Sequence, residues 1–203
     1  MLKSGKLFVV SAPSGCGKTT LCRKLLTSYP DLRYSISYTT RKPRFNEVDG
    51  VDYIFIEKED FKNKIDSGFF LEWAIVYGDY YGTSLKYIEL CLLKKQDVLL
   101  DIDIQGAKAI RSKLKSAVTI FVLPPGLSEL EKRLRLRKTE SEERMNARLN
   151  NVRNEIASYK NYDYFIINDV FELAFKEFES IYVAEHCKIK DIKDIKTIIN
   201  MED

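Results

Sequence analysis

Ser11-Ala12-Pro13-Ser14-Gly15-Cys16-Gly17-Lys18-Thr19-Thr20 is the stretch on which the fold turns. The apolar run before it, Leu7-Phe8-Val9-Val10, reads as a strand buried on both faces. After it, Leu21, Leu25 and Leu26 fall on one side of a helical pattern that Pro30 stops. A strand, a glycine-containing loop and a helix, in that order, make a cradle for phosphate. Glycines let the backbone close around an anion with successive N–H groups pointing inward. The helix N-terminus adds its dipole, Lys18 a point charge near the β- and γ-phosphates, and Thr19 a hydroxyl for Mg²⁺. The strict pattern asks for glycine at position 12, where this chain has Ala12, but the flanking strand and helix patterns are intact.

The same grammar recurs along the chain. Val98-Leu99-Leu100 leads to Asp101, residues 118–123 form an apolar run closed by Pro124 and Pro125, and residues 164–167 lead to Asn168. Helical patterns cover residues 84–95, 105–115, 127–159 with a break, and 170–187. Strands alternating with helices predict an α/β fold, a parallel sheet with helices on both faces. Asp101, at a strand end beside the loop, is a candidate Mg²⁺ ligand together with Thr19.

Two regions break the alternation. Residues 35–82 are rich in tyrosine and β-branched residues, with turn signals at Asp49-Gly50 and Gly78-Asp79, and read as a mostly β insertion. Residues 130–148 form an arginine-rich helical stretch interrupted by Lys138-Thr139-Glu140-Ser141. The lysine-rich tail, 188–203, carries isoleucines at 189, 192, 195, 198 and 199; an amphipathic helix and a loose extension both fit it.

Bulk properties narrow the function classes. A chain of 203 residues with 45% hydrophobic and 31% charged residues is ordinary for a globular protein. Its net charge of +3 is too small to imply nucleic-acid binding, so no nucleic-acid partner is expected. Cys16, Cys22, Cys91 and Cys187 form no CxxC pair, and the single histidine, His186, argues against a zinc site or a Ser/Cys–His catalytic pair. No apolar run approaches 18 residues and the N-terminus shows no signal-peptide pattern, so a reduced cytoplasmic protein without a membrane partner is expected.

The insertion carries a second set of motifs: Ser37-Tyr38-Thr39-Thr40-Arg41-Lys42-Pro43-Arg44, then Glu47, Gly50 and Tyr53, then Phe70-Leu71-Glu72-Trp73, then Tyr80-Tyr81-Gly82-Thr83. With Asp101-Ile102-Asp103-Ile104-Gln105-Gly106 and the phosphate loop, the series resembles guanylate kinase, from near Leu7 to about Asp169. The resemblance implies a P-loop kinase core (1–34, 84–126 and 160–187), a GMP-binding insertion (35–83), a helical arginine-rich lid (127–159) and a tail (188–203). It implies phosphoryl transfer from ATP to GMP or dGMP with Mg²⁺, in guanine nucleotide biosynthesis and recycling, by a monomer or weak homo-oligomer.

Residue roles follow from the resemblance, each with its chemistry. Ala12, Pro13, Ser14, Gly15, Cys16, Gly17, Lys18, Thr19, Thr20 and Asn168 would contact ATP, Asn168 at the adenine. Ser37, Arg41, Arg44, Tyr53 and Tyr81 would hold the GMP phosphate, since guanidinium forks match phosphate oxygens. Glu72 would read guanine: an ionised carboxylate accepts both N1–H and the exocyclic amine, whereas adenine presents an unprotonated N1 there. Thr83 and Asp103 would add contacts to the base. Lys18, Arg44, Arg133, Arg137 and Arg148 would stabilise the transferring phosphoryl group. Two departures stand out: Leu136-Arg137-Lys138 replaces the family's Gly-Arg-Gly, and Asn46 its usual glycine.

Overall fold

The structure, a computed structural model, describes residues 5–136, 152 and 154–188. Arg137, Arg148 and nearly all of the tail therefore lie outside the described residues, as does most of the 127–159 stretch beyond residue 136.

The first strand, β1 (Leu7–Ser11), is buried along its whole length. Its side chains alternate between two cores: Leu7 and Val9 enter one, Phe8 and Val10 the other. That is why the sequence shows an unbroken apolar run instead of alternation. Helix α1 (Lys18–Ser28) follows, then the short β2 (Arg33–Tyr34). The remaining core strands are β7 (Val98–Asp101), β8 (Val118–Leu123) and β9 (Tyr164–Ile167). They form a five-stranded sheet in the order β2-β7-β1-β8-β9, with every pairing parallel. Helices α3 (Leu85–Leu93) and α4 (Ile104–Lys113) pack on the Leu7/Val9 side. Helices α1, α5 (Leu127–Leu136) and α6 (Phe171–Glu185) pack on the Phe8/Val10 side. Helices thus cover both faces, as the alternation predicts.

The topology places a site. Helix α1 leaves β1 toward one face, and α4 leaves the neighbouring β7 toward the other. Their starts open a crevice at the carboxyl ends of these two strands, where open α/β sheets bind ligands.

Residues 38–84 build a second sheet beside that crevice. It contains β3 (Tyr38–Thr39), β4 (Ile54–Phe55), β5 (Phe70–Val76) and β6 (Asp79–Ser84), in the order β4-β3-β6-β5. Tyr77 and Gly78 join β5 to β6, both at positive φ (52° and 92°), as tight hairpins require. The insertion also contains a helix that the β-rich composition does not predict, α2 (Lys58–Asp66). Only Phe61 of that helix is buried; its ring stacks on Phe70 at 4.4 Å and meets Tyr80 at 5.3 Å. Two apolar residues in nine, Phe61 and Ile65, are too sparse a pattern for helical periodicity to detect.

Candidate active site

The loop 12–17 is held open by two glycines in the left-handed region, Gly15 (φ 92°) and Gly17 (φ 82°). Gly17 stands at the start of α1, whose first turn has no acidic residue and no side-chain cap. Its leading N–H groups are thus left for an external acceptor. Two elements brace the loop from behind. Asn168, buried at the end of β9, donates from Nδ2 to the Cys16 carbonyl at 2.7 Å. That amide lies so close to Gly17 that a Cβ there would stand 2.3 Å from it. Leu130 and Leu134 of α5 pack against Gly15, each 3.0 Å from where a Cβ would be.

Lys18 and Asp101 meet across the crevice in an ion pair, and Lys18 Nζ also donates to the Ile102 carbonyl at 2.7 Å. Thr19 Oγ1 donates to the other Asp101 oxygen at 2.8 Å. Burial works against the Lys18 ammonium, but the Asp101 carboxylate outweighs it and leaves its pKa above the ordinary value. Lys18 is therefore charged at any physiological pH.

Across from the loop, Glu72 is 4% exposed. A bulge puts it there. The register of β5 against β6 shifts between Phe70 and Glu72, so Leu71 is an extra residue. Phe70, Leu71 and Glu72 are consequently all buried, Leu71 in the core beneath and Glu72 facing the cavity. Thr83, its cross-strand partner, donates from Oγ1 to Glu72 Oε1 at 2.5 Å. Burial, with a smaller contribution from Asp103, raises the Glu72 carboxyl to about 7 against the relief from Thr83 and Lys113. Asp103 caps α4, accepting from the N–H groups of Gly106 at 3.0 Å and Gln105 at 3.3 Å.

Arg41 stands behind the tyrosines. Its Nε donates to the Tyr81 hydroxyl at 3.2 Å, and its guanidinium lies over the rings of Tyr53 at 5.3 Å and Phe55 at 5.8 Å. Glu47 accepts from Arg41 Nη2 at 2.9 Å and from the Arg44 backbone N–H at 2.8 Å. The Arg44 side chain is half exposed, its Nη1 3.7 Å from Glu47.

One cavity of about 680 Å³ joins the two halves. All of residues 12–20 line it, with Ser37, Tyr53, Glu72, Tyr81, Asp101 and Asp103. Arg41, Arg44, Thr83, Arg133 and Asn168 are not on its wall. Arg133 instead donates from Nε to Glu129 at 3.0 Å and from Nη1 to the Asn168 carbonyl at 3.0 Å. The Asn168 amide is likewise spent on the phosphate loop.

Some contributors carry no sequence signal. The hairpin tip (Ile75, Val76, Tyr77) and Asn154, Glu155 and Ser158 line the cavity, and only the three-dimensional path brings them there. Gln105 ties the hairpin to α4 through the Ile75 carbonyl at 3.2 Å. Glu47, which follows the Arg41-x-x-Arg44 motif in the sequence, is the acid that pairs with both arginines. Conversely, Asn63-Lys64-Ile65-Asp66 has the letters of the Asn-Lys-x-Asp guanine motif of regulatory GTPases. It forms the end of α2, with Lys64 over the Phe69 ring at 4.5 Å, and none of its members lines the cavity.

The donors and charges can hold two anionic groups end to end, one on the loop and one near the tyrosines, with a carboxylate beyond. The chain resembles proteins of one family along most of its length. A family model described as guanylate kinase matches residues 4–185. The guanylate kinase of Geobacter metallireducens is 45% identical over 188 residues, 93% of each chain. That of Myxococcus xanthus is 48% identical over 189 residues, 93% of this chain and 90% of the relative. The crystal structure of guanylate kinase from Anaplasma phagocytophilum matches with a TM-score of 0.80 at 30% identity, covering 98% of this chain and 96% of that one.

Proposed function

The chain belongs to the guanylate kinase family, and from that membership we infer that it transfers the γ-phosphoryl group of ATP to GMP, giving ADP and GDP. The observation that carries this reading is the single cavity with the phosphate loop on one wall and buried Glu72 on the other. ATP phosphates would take the N–H groups of the loop and the charge of Lys18. The GMP phosphate would meet Ser37, Tyr53 and Tyr81, backed by Arg41 and Arg44. Guanine, or the same base of dGMP, would give its two donors to Glu72, with Thr83 and Asp103 holding the surroundings.

The attacking atom is a phosphate oxygen of GMP. A phosphate monoester has a second pKa near ~6, so at neutral pH the nucleophile is already mostly ionised and needs no general base. Catalysis then consists of alignment and charge stabilisation. Lys18 supplies the latter from the loop. Arg133, Arg137 and Arg148 are proposed to add to it; Arg133 would first have to leave the Asn168 carbonyl. The Thr19 hydroxyl and the Asp101 carboxylate are hard oxygen donors at the phosphate end and suit Mg²⁺. The metal would supply charge neutralisation of the phosphate oxygens. Tyr53 is kept protonated by burial and by Asp101, and so remains a donor to phosphate. Asn168 is better read as a brace of the loop than as an adenine contact. All four cysteines are free thiols, consistent with a reducing cytoplasm.

An assay of ADP release with GMP, dGMP, AMP and UMP as acceptors tests the reading. Release with GMP and dGMP is expected; release with AMP and none with GMP would overturn it. Lys18→Ala is expected to lower turnover by about 100-fold or more while GMP still binds. Unchanged turnover would remove the loop from the mechanism.

A further inference from the structure

Gly106 lies in the first turn of α4, and glycine is a poorer helix former than alanine. Its backbone does not require glycine either. The glycines with positive φ are 15, 17, 50, 68 and 78, and Gly106 is not among them. What the position requires is empty space. A Cβ on Gly106 would stand 2.5 Å from Glu72 Oε2, 3.0 Å from Glu72 Cδ and 3.2 Å from Asp103 Oδ1. A contact of 2.5 Å is shorter than carbon and oxygen tolerate, so one of them must move. The atom that yields is the end of the Glu72 side chain, because Gly106 is fixed on the helix by its N–H bond to Asp103 at 3.0 Å.

We propose that Gly106 is a specificity-positioning residue: its missing side chain is the space in which the Glu72 carboxylate lies, against the first turn of α4 and within reach of Thr83. Two walls define the position of that carboxylate. Thr83 Oγ1 holds Oε1 from the β6 side, and the bare Cα of Gly106 supports Oε2 from the helix side. Asp103, by capping α4, fixes the turn that carries Gly106. A methyl group at 106 pushes the carboxylate toward the cavity and away from Thr83. The space left for a base shrinks, and the angle at which both oxygens meet the N1–H and amine donors of guanine is lost. The inference rests on the reading of Glu72 as the guanine acceptor.

The test is steady-state kinetics of Gly106→Ala with GMP and ATP varied separately. Displacing a recognition group by about 1 Å costs up to about 100-fold, so KM for GMP should rise at least about tenfold. KM for ATP and kcat at saturating GMP should stay within about threefold, a split that a general structural defect would not produce. Glu72→Asp shortens the side chain by about 1.5 Å and gives the space back. It should raise KM for GMP in the parent but lower it in the Gly106→Ala background. An unchanged KM for GMP in folded Gly106→Ala, or equal losses for both substrates, overturns the proposal. If Gly106→Ala does not fold, recovery of folding by Glu72→Asp supports the shared space, and failure to recover overturns it. Glu72→Gln with unaltered preference for GMP over AMP would instead sink the reading of Glu72 itself.

Discussion

Glu72 concentrates the site's chemistry in one carboxyl group. In the folded protein its pKa is raised from 4.5 to about 7, chiefly by burial. A carboxyl raised in this way favours the fold most when protonated. The stability it contributes is fully present below the ordinary carboxylate range, is lost as the pH rises to about 7, and then levels off. The difference is on the order of 3 kcal/mol. Urea unfolding from pH 5 to 8 should show the decline, and Glu72→Gln should flatten it. Binding has the opposite sign. If Glu72 is the guanine acceptor, as proposed, guanine needs its ionised form, so KM for GMP should fall as pH rises through about 7, above most of the phosphate's own titration at ~6. An identical pH profile in Glu72→Gln would show that another group titrates. The letters Phe-Leu-Glu-Trp pointed to this residue only through family resemblance; alternation along β5 would have sent Leu71 and Glu72 to opposite faces. The bulge buries both.

At the scale of elements, helix α6 is fixed to the core by a polar cluster at the entry to β7. Asp97 accepts from the Tyr182 hydroxyl at 2.9 Å and from the Lys6 backbone N–H at 2.8 Å, and faces His186 Nε2 at 2.7 Å. His186 Nδ1 faces the Tyr182 carbonyl at 2.8 Å. Both ring nitrogens therefore face oxygen atoms, and the ring ties α6 to the start of β7. The chain's single histidine thus holds two elements together away from the cavity, in keeping with a mechanism that needs no base. Burial would raise the Asp97 carboxyl, but the bonds from His186 and its neighbours outweigh it and hold the group below its usual range. The stability this gives is present above the unfolded carboxylate pKa and lost as pH falls through the lower folded value. Asp97→Asn should cost about 2 kcal/mol at neutral pH and soften the acid limb of the unfolding profile. ADP release at saturating substrates should change little. A loss of turnover without a loss of stability would contradict the structural assignment.

At the scale of the whole molecule, two sheets share one cavity, so each nucleotide should stabilise the fold on its own. Ligand at about 100 times its Kd adds about 2.7 kcal/mol, and each kcal/mol raises Tm by about 2–4 °C for a chain this long. GMP and a non-hydrolysable ATP analogue should each give a shift of that order in a thermal melt. Glu72→Gln should abolish the GMP shift and keep the other. Loss of both would mean that the substitution damages the shared crevice instead of one subsite.

The order of elements was legible in the chain because local rules set it. An unbroken apolar run implies a strand buried on both faces, and β1 is one; glycines before Lys18 imply an inward-turned loop, and Gly15 and Gly17 supply the positive φ. Local pattern did not show α2, with its single buried anchor, or the cross-chain braces. Asn168 is 152 residues from the carbonyl it holds and Gly106 is 34 from the carboxylate it accommodates, distances along the chain that no motif spans. The sequence by itself determined that there is a phosphate loop, that a strand precedes it and a helix follows, and that charged and aromatic groups suited to a second nucleotide are present. Only the tertiary structure decided that these groups face one cavity, that Arg41 stands behind its wall, and that a bulge aims Glu72 inward. The physical reason is that backbone conformation follows from neighbours in sequence, whereas burial, which sets the charge state of Glu72 and the space at Gly106, depends on residues brought together by packing.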